Sequence, residues 1–341
     1  MSSTPQPPSL TIVIPCYDEE LVLPETLSRL RALLSSLEAE GAIAATSTLL
    51  FVDDGSSDET YALLRAAAVD DPRVEVLKLS RNFGHQNALF AGLAHSRAEL
   101  TLSMDADLQD DPSVIHEMLR AAREGAKVVY GVRKRRDKDR AIKRVPAQLY
   151  YRVLRVLGIE IVEDHADFRL LHRDALAALL RFEEVHLFLR GMVPLIGFPS
   201  KIVHYDRGER FAGETKYSPR KMLRLALDGI TSFSAAPLHL IAGLGVLISL
   251  SAIGLAVWAL IIRVLGFAIP GWASIVVPLY FIGGIQLLSL GVIGIYLSKI
   301  YAESKKRPRY IVEEFKLNGL KDDTEKRLEK RLEISPESDD A

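Results

Sequence analysis

The sequence predicts an α/β fold: a mostly parallel sheet with flanking helices, followed by an interfacial helix and a two-helix transmembrane hairpin. Three observations carry this prediction. Short β-rich apolar runs alternate with amphipathic segments over residues 10–205, the rhythm of a sheet covered by helices. Acidic residues stand where those apolar runs end, which is where ligands bind in open α/β sheets. Across residues 235–298 the only formally charged residue is Arg263, and soluble core helices rarely run that long without charge.

Each element has its own signature. Residues 10–15 are an apolar β-rich run, and residues 19–40 carry Leu23, Leu27, Leu30 and Leu34 at helical spacing. Residues 48–53 read as a second strand, with a helix from about Asp58. Residues 73–79, 100–105 and 127–132 are the third, fourth and fifth strands. In residues 218–233, Met222, Leu223, Leu227, Ile230 and Phe233 can share a face, while Arg220, Lys221 and Arg224 crowd the beginning. That pattern predicts a helix lying among lipid headgroups, with an ordinary helix packed on the domain as the plainer alternative. The runs 235–262 and 264–298 each exceed the roughly 20 residues that cross about 30 Å of hydrocarbon. A hairpin buried in a soluble core is the alternative. After Glu313 the chain is charge-rich without a sustained apolar pattern, so a short mobile helix and disorder are expected.

Charge and cysteine content bound the function. Lys+Arg is 43 and Asp+Glu is 44 in 341 residues, a formal net of -1, which argues against a general nucleic-acid binder. Cys16 is the single cysteine, so an intrachain disulfide is excluded. Residues 1–9 are polar and Pro-rich without a basic region, unlike a signal peptide. Basic residues flank both ends of the hairpin: Arg220, Lys221 and Arg224 before it, Lys299, Lys305, Lys306, Arg307 and Arg309 after it. Both termini are therefore expected in the cytoplasm.

Several chemistries are missing. The turn after the first strand has no glycine, so the dinucleotide fingerprint fails, and no GxxxxGK[ST] loop, zinc-type Cys/His cluster or G-x-S-x-G elbow is present. What remains are carboxylates at strand ends. Asp105 and Asp107 leave an apolar strand two residues apart, with Gln109 adding a neutral oxygen. Such a set suits Mg²⁺ or Mn²⁺ completed by substrate phosphates. Solvated turn acids are the bland alternative. A phosphatase of the D-x-D type is another, although its aspartate nucleophile usually follows the first strand and this motif follows the fourth.

Four motifs come in order: Ile12-Val-Ile-Pro-Cys-Tyr-Asp-Glu-Glu20, Phe51-Val-Asp-Asp-Gly-Ser-Ser-Asp58, Leu79-Ser-Arg-Asn-Phe-Gly-His-Gln-Asn87 and Met104-Asp-Ala-Asp-Leu-Gln109. Together they resemble the family 2 glycosyltransferases of GT-A fold. Within that family the chain is similar to the polyprenyl-phosphate glycosyltransferases, which include dolichol-phosphate mannose synthases and bacterial undecaprenyl-phosphate glucosyltransferases. The resemblance covers about residues 10–312, closing with Lys306-Arg-Pro-Arg-Tyr-Ile-Val312. It implies that Pro15, Tyr17 and Glu19 hold the nucleotide, and that Asp53 and Asp54 read the base edge and ribose. It implies that Asp105, Asp107 and Gln109 bind the metal and diphosphate, and that Arg133 contacts the donor. Asp18 stands where the family commonly has Asn.

Asp167-Phe168-Arg169-Leu170 and residues 209–217 also resemble segments of this subfamily. Asp167 is the expected catalytic carboxylate beside Asp105 and Asp107, with a structural salt bridge to Arg169 as the alternative. Arg207, Arg210 and Lys216 are expected to meet the acceptor phosphate, since Arg can grip phosphate with two parallel hydrogen bonds. Residues 133–144 hold eight basic and two acidic residues, a local net of +6. They suit a donor diphosphate and an anionic membrane surface better than nucleic acid, for lack of interleaved aromatics.

The implied organisation is a flexible N-terminus (1–9), a GT-A catalytic domain (10–217), an amphipathic interfacial helix (218–233), two transmembrane helices (235–298) and a basic juxtamembrane segment with a charged tail (299–341). The implied activity is inverting, metal-dependent transfer of a sugar from a nucleotide sugar to polyprenyl phosphate at the cytoplasmic face of a bacterial inner membrane. UDP-glucose is the favoured donor and GDP-mannose the next. Partners are the UDP-sugar, the polyprenyl phosphate and the lipid bilayer; family members often associate through their membrane helices, so a homo-oligomer is an open expectation. A processive polysaccharide synthase is disfavoured because both tryptophans, Trp258 and Trp272, lie in the apolar region, which leaves no Q-x-x-R-W motif. A membrane scaffold with an inactive domain is the competing non-enzymatic reading.

Overall fold

The structure is a computed structural model, and residues 6–133, 165–185, 187–206, 236–265 and 273–316 are described. The chain opens with β1 (Leu10–Cys16), α1 (Leu23–Ala39), β2 (Thr48–Asp53), α2 (Thr60–Asp70), β3 (Val74–Leu79), α3 (His85–His95) and β4 (Leu100–Ser103). A short turn leads into α4 (Ile115–Arg123), then come β5 (Val128–Arg133), β6 (His165–His172), α5 (Arg173–Leu179), α6 (Leu189–Leu195) and β7 (Ser200–Tyr205). Two long helices, α7 (Ala236–Val264) and α8 (Ala273–Ser304), precede β8 (Val312–Lys316).

One eight-stranded sheet has the order β7-β5-β6-β4-β1-β2-β3-β8. The central strands β4, β1, β2 and β3 are parallel, as are β5 and β7. β6 runs antiparallel between β4 and β5, and β8 runs antiparallel along β3. The period-2 alternation of strand side chains sorts the core into two layers. Ile12 and Ile14 face the layer of α1, α2 and α4, with Leu23, Leu27, Leu30 and Leu34. Val13 faces the layer of α3, α5 and α6. The apolar stripe expected on α1 is thus its buried face, although the helix begins at Leu23 instead of Glu19. The residues before it are tied to the neighbouring loop.

α3 lies unusually close to the sheet at Gly92, where a Cβ would stand 2.3 Å from a Val13 methyl. This approach brings the start of α3 over the strand ends. β4 stops at Ser103, two residues short of the sequence expectation, so Met104 and Asp105 already leave the sheet. At the other edge, β8 carries regular structure three residues past Glu313, where the sequence predicts a mobile helix and disorder; the tail after Lys316 lies outside the described residues. Phe315 packs edge-on to His95 at 5.1 Å between ring centroids, and Tyr61 donates to Glu314 Oε2 at 2.5 Å.

α7 and α8 are each long and apolar enough to cross a membrane, with mean hydropathy 1.8 over their spans. None of those spans is buried in the protein, which contradicts a soluble buried hairpin. α8 continues past residue 298 to Ser304. The interfacial helix expected at 218–233 lies outside the described residues.

Candidate active site

The site gathers at the carboxyl ends of β1, β2 and β4, with β6 supplying one residue by register. Ser103 of β4 pairs with Arg169 of β6. Two residues further on, in opposite chain directions, come Asp105 and Asp167, so antiparallel pairing sets them near each other.

The first wall joins the loops after β1 and β2. Asp18 adopts the left-handed conformation, φ 51, which Asn and Asp tolerate best. Its Oδ1 accepts from the Ser57 amide at 2.8 Å, and its own amide donates to Ser56 Oγ at 3.1 Å. The Glu19 amide donates to Thr60 Oγ1 at 2.8 Å and the Glu20 amide to Asp58 Oδ2 at 3.2 Å. These bonds explain the departure at position 18: either Asn or Asp supplies the required acceptor oxygen and backbone shape. Pro15 is buried in β1, while Tyr17 stays 44% exposed on the open side of this wall. Gly55 needs its positive φ of 68, and a Cβ there would lie 2.5 Å from the Arg81 carbonyl carbon.

Asp53 and Asp54 divide their roles. Both are buried, and burial pushes both carboxyls above the usual range. Asp54 accepts from the Phe83 amide at 2.7 Å and the Gly84 amide at 2.9 Å, one with each oxygen. It therefore fixes the turn into α3. Asp53 Oδ1 accepts from the Ser56 amide at 3.3 Å, while its Oδ2 is buried without a partner.

The second wall is built around Asp167, on the same face of β6 as Arg169. Arg169 is fully buried, donates to Asp167 Oδ1 and also to the Leu189 carbonyl at 3.2 Å. Asp167 Oδ2 faces His85 Nε2 at 3.3 Å, Gln86 Nε2 at 3.2 Å and Arg190 at 3.4 Å. Gln86 Oε1 in turn accepts from the Leu189 amide at 3.1 Å. The salt bridge with Arg169 thus exists, within a larger network. Burial alone would raise the Asp167 carboxyl. The His85 hydrogen bond and the charges of Arg169 and Arg190 outweigh it and hold the group well below the usual range.

Asp105 lies between the walls, with His85 Nε2 3.5 Å from its Oδ1. Burial first, then Asp167, Asp110 and Asp107, push its carboxyl up to about 6 against the opposing pull of His85. Its Oδ1 is buried with no hydrogen-bond partner. Leu108 takes a left-handed conformation, φ 54, which turns the chain between Asp107 and Gln109, and Asp107 Oδ1 accepts from the Gln109 amide at 3.2 Å. Among the described residues no three His, Cys, Asp or Glu side chains form a ready metal cage. The orphan oxygen of Asp105 and the hard-oxygen donors of Asp107 and Gln109 fit a divalent cation that takes its remaining ligands from a diphosphate.

Arg133, at the end of β5, reaches Tyr205 Oη at 3.1 Å and Asp110 Oδ1 at 3.0 Å. Tyr205 also donates to Asp110. The register that pairs Arg133 with Tyr205 places this trio at one strand end. The sequence assigned no role to His85, Gln86, Asp110, Arg190 or Tyr205, although His85 and Gln86 lie in the motif 79–87. Arg207, Arg210, Lys216 and most of the basic run 133–144 lie outside the described residues. Cys16 is buried, and burial raises its thiol.

Residues 11–180 match the family model described as glycosyl transferase family 2. The uncharacterized glycosyltransferase YkoT of Bacillus subtilis (strain 168) is 46% identical over 331 residues, 95% of this chain and 98% of that protein. The bactoprenol glucosyl transferase of Shigella phage SfV is 35% identical over 307 residues, 89% of this chain and 97% of that protein. Among solved structures, the mannosyltransferase PcManGT from Pyrobaculum calidifontis, in complex with GDP-Man and Mn2+, aligns at 15% identity and a TM-score of 0.42. That alignment covers 88% of this chain and 87% of the other.

Proposed function

Given that the chain belongs to glycosyl transferase family 2 and has its GT-A fold, we propose that it moves a sugar from a nucleotide diphosphate to the phosphate of a polyprenyl lipid. The observation that carries this reading is the meeting of Asp105 and Asp167 at His85, beyond the ends of β4 and β6, with Asp107 two residues further along the D-x-D motif. The bactoprenol relative and the two apolar helices support a lipid-linked acceptor. The apolar hairpin holds the catalytic domain against the cytoplasmic face of the membrane, because a polyprenyl tail stays in the bilayer.

Pro15, Tyr17 and Glu19 line the nucleotide side of the cleft, and the orphan Oδ2 of Asp53 accepts an N–H of the base or a ribose hydroxyl. Asp105, Asp107 and Gln109 hold Mg²⁺ or Mn²⁺, which offsets charge on the departing diphosphate. Arg133, kept in place by Asp110 and Tyr205, contacts the donor. Arg207, Arg210 and Lys216 receive the acceptor phosphate. One of its oxygens attacks the anomeric carbon while the bond from that carbon to the diphosphate oxygen breaks, so the configuration inverts and a nucleoside diphosphate leaves. The second pKa of a phosphate monoester is about 6, so the nucleophile is largely ionised at neutral pH. Asp167, already ionised and held by four side chains, orients the reactants.

UDP-glucose is the proposed donor. The test is nucleotide release by the purified full chain with Mn²⁺, comparing UDP-glucose and GDP-mannose. UDP release that depends on added undecaprenyl phosphate supports the proposal, and GDP release alone overturns the donor assignment. Tight nucleotide binding with no turnover on either donor overturns the enzymatic reading.

A further inference from the structure

A groove of about 1420 Å³ lies outside the site described above, between the segment leaving α8 and the turn after α5. Phe90, Phe182, Leu195 and Tyr310 give it apolar walls, and Leu195 is 58% exposed on its lip. Four cations line it: Arg181, Lys306, Arg307 and Arg309. Arg309 serves the fold, because it donates to the Phe182 carbonyl and lies 4.6 Å from the Phe90 ring centroid. The groove's acids, Glu183, Glu184 and Glu303, surround Arg309, and Glu303 also accepts from the Val185 amide at 2.8 Å. Arg181, Lys306 and Arg307 have no ion pair among the described residues. Lys306 turns the corner after α8 with φ 46, a conformation unfavourable for a side chain of this size.

α8 ends at Ser304, so on the reading that it spans a membrane the groove opens at headgroup depth. Apolar walls below unpaired cations match the first acyl carbons and the phosphate of an anionic lipid. We propose that this groove binds an anionic phospholipid of the bilayer, with its phosphate on Arg181, Lys306 and Arg307. The lipid then fastens the membrane helix to the catalytic domain beside the Glu303–Val185 and Arg309–Phe182 links. This inference rests on the proposed membrane placement and not on the identity of the sugar.

The test is native mass spectrometry of the full chain in detergent with phosphatidylglycerol or phosphatidylcholine added. The wild type is expected to retain phosphatidylglycerol in preference. Lys306→Gln with Arg307→Gln should cut its retention roughly thirtyfold, the contribution of two basic residues near a lipid surface at about 1 kcal/mol each. Lys299→Gln with Lys305→Gln removes the same charge from the end of α8 and the residue after it, outside the groove lining, and should leave retention within twofold. Equal loss in both pairs, equal retention of the two lipids, or displacement of phosphatidylglycerol by undecaprenyl phosphate would each overturn the proposal. Carbonate-resistant flotation of the wild type with vesicles separates the premises. A chain that fails to insert removes the membrane placement as well, whereas an inserted chain without lipid preference removes the groove alone.

Discussion

His85 Nε2 stands 3.3 Å from Asp167 Oδ2, and the same nitrogen is 3.5 Å from Asp105 Oδ1. One ring at the start of α3 therefore joins the expected catalytic carboxylate to the first acid of the D-x-D motif. The turn that presents His85 is fixed by Asp54, at the end of a different strand. The placement of His85 between the two carboxylates thus depends on the hydrogen bonds of a third.

Asp167 orients in this account and does not remove a proton. Its carboxyl is held well below the usual range, so it stays ionised throughout the neutral region and adds no titrating limb there. Asp167→Asn should lower kcat about 10²-fold, the scale of losing precise placement, and by the same factor across neutral and alkaline pH. Initial rates of the variant against pH check this, and a loss repaired at high pH would make Asp167 a base. The linkage sign is that of a depressed acid: its stabilising contribution is complete above the unfolded carboxylate pKa and disappears as pH falls through the folded value.

Arg169 is a fully buried cation whose charge is matched by Asp167. Removing one partner of such a pair costs about 3–5 kcal/mol. Arg169→Met should therefore shift the urea midpoint strongly. Arg169→Met combined with Asp167→Leu should be more stable than Arg169→Met alone while remaining inactive. A double variant less stable than the single one would contradict the pairing.

Asp53 and Asp54 separate binding from folding. Asp54→Ala removes the acceptors of two backbone amides and should cost about 2–4 kcal/mol in thermal unfolding. Asp53→Ala should weaken nucleotide binding measured by titration calorimetry, with a smaller effect on stability. The reverse pattern would return nucleotide contact to Asp54.

β8 closes an edge that would otherwise expose the backbone of β3. A chain ending after Ile311 should unfold at lower temperature and aggregate on light scattering, although the motifs of the site are intact. Tyr61→Phe, which loses only the bond to Glu314, should cost about 1 kcal/mol.

The parallel centre of the sheet is legible in the sequence because Leu10–Cys16 and Thr48–Asp53 are largely apolar runs with acids at or just past their ends, Asp18 and Asp53. Leu23, Leu27, Leu30 and Leu34 mark the buried face of α1 in the same direct way. β6 hides better: Asp167 and Arg169 read as polar positions, yet they face inward because each neutralises the other. β8 is five residues long with three charges, and its partner strand lies more than two hundred residues earlier. No local period reveals such a pairing. The split between Asp53 and Asp54 follows from the alternation of adjacent side chains across a strand end, and which of them meets the loop after β3 depends on packing. His85 and Arg190 come from separate helices and join Asp167 only in three dimensions.

The central claim is transfer of a sugar onto a lipid phosphate. The most direct measurement is the mass of the lipid product after the purified full chain is incubated with undecaprenyl phosphate, Mn²⁺ and UDP-glucose. The expected product is undecaprenyl phosphate heavier by one hexosyl unit, absent with chelator and with Asp105→Asn. Unmodified lipid, with the sugar released only to water, would contradict it.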